Sequence, residues 1–290
     1  NGGVITKENF HVNQIIKSDD GGFHIYVNGE EKPIEVDFIL IASGGIRSGS
    51  SRELLHSVDH KYSYPVPSLF TFEIKDNELN DLSGLSVDHA DVEVSSLGIK
   101  NSGPLLITHW GLSGPVILKL SALGARLMEK INYQFTIRVN WLGDTWTNDR
   151  LRQVIDSRRD DSGSRIVEKK SPLKEMPNRL WKRICRKTGI KNGLKWSELT
   201  RDSIIKLINH LISEEFEVTG KSLNKEEFVT CGGVKLEDID LRTMESKIVK
   251  NLFFAGEVMD VDGITGGFNF QSAWTTGRIA GEEIARRCMT

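Results

Sequence analysis

Residues 251–281, Asn-Leu-Phe-Phe-Ala-Gly-Glu-Val-Met-Asp-Val-Asp-Gly-Ile-Thr-Gly-Gly-Phe-Asn-Phe-Gln-Ser-Ala-Trp-Thr-Thr-Gly-Arg-Ile-Ala-Gly, carry the spacings best suited to chemistry. Leu252 to Ala255 form a short apolar run ending in Gly256-Glu257. A helix beginning near Asn269 then repeats apolar or small residues at Phe270, Ala273, Trp274, Gly277, Gly281, Ile284, Ala285 and Cys288, which predicts one buried face. Between strand and helix, Gly263, Gly266 and Gly267 remove side chains where the first helical turn leaves its N–H groups unbonded. Such a turn can hold an anion or lie close against a ligand ring. Asp260 and Asp262 can order this loop or accept a ligand hydroxyl, and both roles stay open. Tight strand-to-helix packing is the alternative reading of Gly256 and Gly267.

Three further stretches accompany it. Val36-Asp37-Phe38-Ile39-Leu40-Ile41-Ala42 is nearly continuous in apolar residues, as for a parallel strand buried on both faces, and runs into Ser43-Gly44-Gly45. Leu105 to Pro115 contains Thr108-His109-Trp110-Gly111-Leu112-Ser113-Gly114-Pro115, and Phe228 to Val234 contains Thr230-Cys231-Gly232-Gly233-Val234. Together these motifs resemble two-dinucleotide-binding-domain flavoproteins, above all the BaiN-like NAD(P)/FAD-dependent oxidoreductase family, along most of the chain. The resemblance implies FAD as cofactor, with NAD(P)H as a candidate electron donor. It implies that Glu257 accepts hydrogen bonds from the sugar-chain hydroxyls of FAD. Gly266, Gly267, Phe268, Asn269 and Phe270 would lie under the pyrimidine edge of the flavin. Ser43, Gly44 and Gly45 would pass close to the cofactor, and Gly256, Asp262 and Gly263 complete the implied cofactor-binding set.

Flavoproteins of this build open with a strand, a Gly-x-Gly-x-x-Gly turn and a helix that hold the pyrophosphate. This sequence instead starts at Asn1-Gly2-Gly3 and moves into alternating segments, Phe10 to Ile16, Gly22 to Val27 and Lys32 to Val36, joined at the hairpin signals Asp20-Gly21-Gly22 and Asn28-Gly29. The resemblance therefore predicts a C-terminal fragment whose parent carries on the order of a hundred further N-terminal residues. Such a fragment is expected to be inactive alone and to bind FAD weakly or not at all. The loop after Gly45 also lacks the Gly-Asp-Gly often found there.

The expected fold class is α/β (α+β overall): a partial FAD/NAD(P)-binding Rossmann-like domain, residues 1–63 and 221–290, with an inserted substrate domain at 64–220. Residues 64–142 read as β-rich, with strand-like segments at Leu69 to Ile74, Ala90 to Val94, Gly103 to Thr108 and Tyr133 to Asn140, and one helix from about Pro115 to Lys130. Residues 146–213 read as helical, and Glu215 to Gly220 and Glu227 to Cys231 return as strands. The β-barrel-like character of the insertion is implied by the resemblance, whereas periodicity alone indicates β-rich, then helical.

Length and 38% hydrophobic content allow a sizeable core. A formal net charge of −2 predicts no nucleic-acid or anionic-membrane partner, with Arg158-Arg159 and Lys169-Lys170 read as solvated helix faces. The expected partner is a small-molecule substrate. Nothing sets an oligomeric state. Three distant cysteines, Cys185, Cys231 and Cys288, predict neither a disulfide framework nor a Cys-x-x-Cys site, which fits a reducing, cytoplasmic location.

His109, within the shared motif, is a weak catalytic candidate as a proton donor to the flavin, weighed against a hydrogen-bonded structural histidine. His56 and His60 are spaced for one helix face but lack a third ligand, so no metal site is expected. Gly111 to Pro115 places proline where a nucleophile elbow needs glycine, which argues against a hydrolase. Cys231 reads as packing. The expected activity is hydride transfer between an organic substrate or NAD(P)H and flavin. The alternatives are a non-catalytic interaction module that has lost FAD binding and a flavin-dependent RNA-modifying enzyme.

Overall fold

Two glycine turns fold the first strands onto one another. β1 (Val12–Lys17) pairs antiparallel with β2 (Phe23–Val27), and β2 with β3 (Ile34–Val36). Gly21 and Gly29 occupy φ values of +94° and +85° that favour glycine. The computed structural model describes residues 3–75, 79, 81–222 and 229–289. It divides into two units, residues 1–68 with 229–290 and residues 69–228.

In the first unit the chain leaves the meander at Asp37 and enters a second sheet through β4 (Ile39–Ile41). The helix α1 (Gly49–Ser57) follows, capped by Ser48, whose hydroxyl accepts the Ser51 N–H at 3.1 Å. Then comes β5 (Val66–Ser68). The expected burial of the Val36 to Ala42 run on both faces does not occur. Ile39 and Ile41 are buried, but Leu40 is 36% exposed. Alternate side chains face opposite sides of a strand, and β4 is an edge strand whose core-facing side alone is covered.

The second unit is a barrel followed by helices. Its strands β6 (Thr71–Ile74), β7 (Ser86–Val94), β8 (Ile99–Ile107) and β9 (Gly111–Ser113) precede α2 (Pro115–Leu123) and α3 (Ala125–Lys130). The single helix expected over 115–130 is thus two, broken at Gly124, where a β-carbon would lie 2.7 Å from Ile99 Cδ1 and 2.8 Å from Met128 Cε. β10 (Phe135–Asn140) leads into α4 (Asn148–Ser162), α5 (Asn178–Lys187) and α6 (Arg201–Ile212), and β11 (Glu214–Ser222) closes the barrel in the order β10-β11-β6-β9-β8-β7. Alternation sets its interior: Phe135, Ile137 and Val139 point in while Thr136 and Arg138 point out. The helices bury Leu151, Ile155, Leu180, Trp181, Ile184, Leu207 and Leu211 in the same core.

Arg183 and Glu214 join helix to barrel inside that core, 0% and 1% exposed. Arg183 Nη1 donates to Glu214 Oε1 and Oε2 at 2.9 and 3.0 Å, and Trp141 Nε1 donates to Oε2 at 2.7 Å. Burial alone would raise the Glu214 pKa, but the nearby His210 ring, the charges of Arg183 and Lys187 and the Trp141 N–H hold it below the usual carboxylate value.

The chain returns to the first unit through β12 (Val229–Cys231), antiparallel to β5, while Glu227 and Phe228 lie outside the described residues. β13 (Ile239–Asp240), β14 (Glu245–Ser246) and β15 (Leu252–Phe254) complete the sheet β13-β14-β15-β4, in which β15 and β4 are parallel. The long helix α7 (Phe268–Cys288) follows. Parallel strands, helices and a mixed sheet in the first unit, with a closed barrel and helices in the second, make the chain α/β. No described helix is long and apolar enough to cross a membrane.

Candidate functional site

The ends of the parallel strands β4 and β15 lie close together, and glycine permits that approach. Gly44 has φ +75°. A β-carbon on Gly45 would sit 2.5 Å from Thr230 Oγ1 and 3.0 Å from Glu257 Oε1, so no larger residue fits without displacing them. Thr230 donates its backbone N–H to Glu257 Oε1 at 2.7 Å. Glu257 lies in the 3₁₀ turn Gly256–Val258 directly after β15. Gly256 (φ +77°) donates its N–H to Thr276 Oγ1 at 3.0 Å, and a β-carbon there would touch the Ala273 Cβ at 3.6 Å. Gly45, Thr230, Glu257, Gly256 and the first turns of α7 are therefore linked by direct contacts. The Ser43 side chain is exposed and makes no hydrogen bond among the described residues.

At the start of α7, Gly266 and Gly267 have φ +119° and +83°. Gly267 is the N-cap, no side chain caps the helix, and its first turn holds no acidic residue. Asn269 braces the preceding loop instead: its Oδ1 accepts the Gly263 N–H at 2.6 Å and its Nδ2 donates to Gly263 O at 3.1 Å. Asp262 Oδ2 accepts from Ser68 Oγ at 3.2 Å, which ties the loop to β5. Free N–H groups and the positive end of a 21-residue helix thus stand beside a bare glycine pair. That arrangement can stabilise an anion or the electron-rich edge of a ring.

The side chains of α7 depart from expectation. Phe268, Phe270 and Trp274 are 56%, 69% and 71% exposed, and Gly281, Ala285 and Cys288 are exposed as well. The stripe predicted to be buried is therefore split: these five positions of it, Phe270, Trp274, Gly281, Ala285 and Cys288, face outward, while Ala273, Gly277 and Ile284 are partly buried. Ala280 is buried, and Ala273, Thr276, Ile284 and Arg287 on its face are partly so. Two anchors, three turns apart on one face, fix this rotation: Thr276 holds Gly256, and Arg287 pairs with Glu245 through two bonds of 2.7 and 2.6 Å. Hydrophobic periodicity registers a small or apolar face without saying whether anything covers it.

The histidines divide. His60 is buried, outside α1, and edge-on to the Phe254 ring at 4.8 Å, so it does not share a helix face with exposed His56 as their spacing would allow. Ser246 Oγ accepts the Ile248 and Val249 N–H groups, both at 2.9 Å, and lies 2.8 Å from His60 Nε2, while His60 Nδ1 lies 2.7 Å from Val58 O. Those contacts fit a neutral ring that donates from Nδ1, and burial lowers its pKa. His109, on the β8–β9 turn in the other unit, is exposed and makes no hydrogen bond among the described residues, contrary to a hydrogen-bonded structural histidine.

Two glycine motifs act through packing. A β-carbon on Gly111 would sit 2.6 Å from Ile74 N, and one on Gly114 2.8 Å from Leu106 N, so this turn lets three barrel strands close. Gly232, at φ +127°, would bring a β-carbon 2.6 Å from Tyr64 O. Cys231 and Cys185 are buried, and burial pushes the Cys185 thiol up to about 12.

The family described as the HI0933-like protein Rossmann domain matches residues 1–283. The chain belongs to this family. It is also similar to a 3-dehydro-bile acid delta(4,6)-reductase of Clostridium scindens, 25% identical over 282 residues covering 94% of this chain and 68% of the relative. A ribosomal RNA dihydrouridine synthase of Haemophilus influenzae is 31% identical over 259 residues, 86% of this chain and 60% of the relative. The protein of that name from Escherichia coli is 27% identical over 281 residues, 93% and 65%. The chain thus spans about two thirds or less of the length of these relatives. Membership places it among Rossmann-like flavoproteins with an oxidoreductase relative.

One cluster escaped the sequence reading of this HI0933-like chain. Arg158, Lys169 and Lys170, read as parts of separate solvated faces, line one hollow of about 280 Å³ in the second unit together with Arg165. The missed signal was local. Residues 164–195 carry eleven Lys or Arg against two Glu, hidden within a net charge of −2 for the whole chain.

Proposed function

We propose that residues 43–45, 256–257, 262–263 and 266–270 bind FAD and that the chain serves a flavin-dependent oxidoreductase. When bound, FAD supplies the hydride chemistry that reduces an organic acceptor, with NAD(P)H as electron donor. The observation that carries the reading is the uncapped start of α7, where Gly266 and Gly267 bare the first-turn N–H groups beside exposed Phe268 and Phe270. Those N–H groups stabilise negative charge at a ring edge. Glu257 has Oε1 engaged by the Thr230 N–H, leaving Oε2 to accept from sugar hydroxyls. Phe268, Phe270 and Trp274 provide apolar surface for a planar ring system. His109 is the proton-donor candidate that belongs to this reading, and its exposure leaves it accessible.

Titration of FAD, followed by quenching of flavin fluorescence, tests it. Gly267→Val should weaken binding at least roughly tenfold, the equivalent of about 1.4 kcal/mol, with unchanged circular dichroism. Equal affinity in both proteins would remove these residues from the cofactor site. Tight, stoichiometric FAD binding by the unaltered chain would overturn the expectation that it binds FAD weakly or not at all.

RNA as the acceptor is a second reading. It is favoured by two relatives named ribosomal RNA dihydrouridine synthase and by the cation-lined hollow, and it stands against the expectation of no nucleic-acid partner. A delta(4,6)-reductase and a dihydrouridine synthase each add hydrogen to an unsaturated acceptor, so both readings share one class of reaction.

A further inference from the structure

Four cations meet where the helical part of the second unit folds back on itself. Arg158 comes from the last turns of α4, Arg165 from the segment after it, and Lys169 and Lys170 from the 3₁₀ turn Val167–Lys169 and its end. Backbone bonds hold the segments together: Trp196 N donates to Arg165 O at 3.0 Å, and Val167 N to Leu194 O at 3.0 Å. Val167 is buried, so the turn that carries Lys169 and Lys170 is pinned to the core. The hollow also offers the hydroxyl-bearing Ser162 and Ser164, and no acidic residue lines it. Arg165, Lys169 and Lys170 are exposed and Arg158 is half-buried. Among the described residues none of the four forms an ion pair, whereas neighbouring Arg152 and Arg159 both pair with Asp156. Asp160, Asp161 and Glu168 are the nearest acids in sequence and lie outside the lining.

Uncompensated like charges held together by the fold repel one another, and an anion relieves that repulsion. The hollow is of a size for phosphate and sugar. Three of the four cations belong to the 164–195 stretch, which holds eleven cations and two anions, although Arg183 and Lys187 among them are paired with Glu214. Phosphates in series match this charge distribution better than one small anion does, since each phosphate neutralised releases condensed counterions. Trp196 lines the hollow but is only 2% exposed, so base stacking is not offered and contact is to the backbone. We propose that the Arg158-Arg165-Lys169-Lys170 hollow is a docking site for RNA backbone phosphates, which positions an RNA without reading its sequence. This rests on the second reading above, with RNA as the acceptor.

The test uses fluorescence anisotropy of a labelled, single-stranded RNA with the 290-residue chain, the Lys169→Glu/Lys170→Glu variant and, as control, Lys206→Glu on exposed α6 surface. The double variant should bind roughly tenfold or more weakly at about 0.1 M salt, and Lys206→Glu should bind nearly as the unaltered chain does. The logarithmic salt slope, roughly −3 for four single-strand contacts, should fall to about half in the double variant. Near-ultraviolet circular dichroism checks that the variants fold. RNA binding that is equal in all three proteins would overturn the site while leaving RNA as acceptor intact. An absence of RNA binding by the unaltered chain would overturn both. Competition by inorganic phosphate at concentrations that leave ionic strength unchanged, or equal binding to anionic lipid vesicles, would also overturn the site as an RNA-backbone surface.

Discussion

The two units use their apolar surface differently. In the second, helices α4 to α6 and the barrel strands share one core, in which Trp141, Trp181, Leu151 and Leu207 are fully buried. In the first, the 21-residue α7 fully buries only Ala280 and leaves Phe268, Phe270 and Trp274 exposed. Glycine differs in the same way. Gly111 is surrounded by backbone at less than van der Waals distance, while Gly267 faces open space, with nothing within 4 Å of a β-carbon placed there. Gly111 is committed to the fold, whereas Gly267 and the aromatic side chains at the start of α7 are left uncovered.

The largest expected effect breaks the second unit from within. Glu214→Ala leaves Arg183 buried without its carboxylate and should destabilise that unit by roughly 3–5 kcal/mol in urea denaturation, whereas Glu214→Leu combined with Arg183→Met should recover much of the loss. A double variant no better than the single one would show that packing rather than charge dominates there.

Next come the two glycines. Gly111→Ala should cost about 2–3 kcal/mol, because its β-carbon meets the β6 backbone, and Gly267→Ala about 1–2 kcal/mol, from the left-handed angle alone. Thermal melts of both, read beside FAD titration, should show fold damage in the first and flavin loss in the second. Reversal of that pattern would undo the contrast.

Acid should separate the units by pH. His60 has a folded pKa below its ordinary 6.5, so its neutral form contributes stability above that value, lost as pH falls from about 6.5 toward the lowered pKa. Glu214, also lowered, contributes stability above its ordinary 4.5, lost only as pH falls below that. Between pH 6.5 and 5, hydrogen-exchange protection should therefore fall around Phe254 and hold around Phe216. Loss in both units together would contradict the assignment.

The smallest effect is on the exposed face. Trp274→Ala should change stability by no more than about 0.5 kcal/mol, against roughly 3–5 kcal/mol for Trp181→Ala. A large loss for Trp274 would mean that α7 is covered by protein.

The sequence by itself determined the elements and much of their kind. The Asp20-Gly21-Gly22 and Asn28-Gly29 turns, the strand–loop–helix order of 252–288 and the helices after Asn148, Asn178 and Arg201 all follow from local patterns, because turn angles, N-caps and side-chain period act over a few residues. The barrel rested on resemblance, since alternation marks a strand but not its partners. Only the tertiary structure decided which faces are covered: Leu40 and Trp274 look buried by composition, yet exposure depends on what packs opposite. It also placed Thr230 against Gly45 and Glu257, buried His60 beneath Phe254, and gathered Arg158 with Lys170 around one hollow. Each joins residues far apart in the chain, and contact at that separation is set by how the elements pack, which no local spacing encodes.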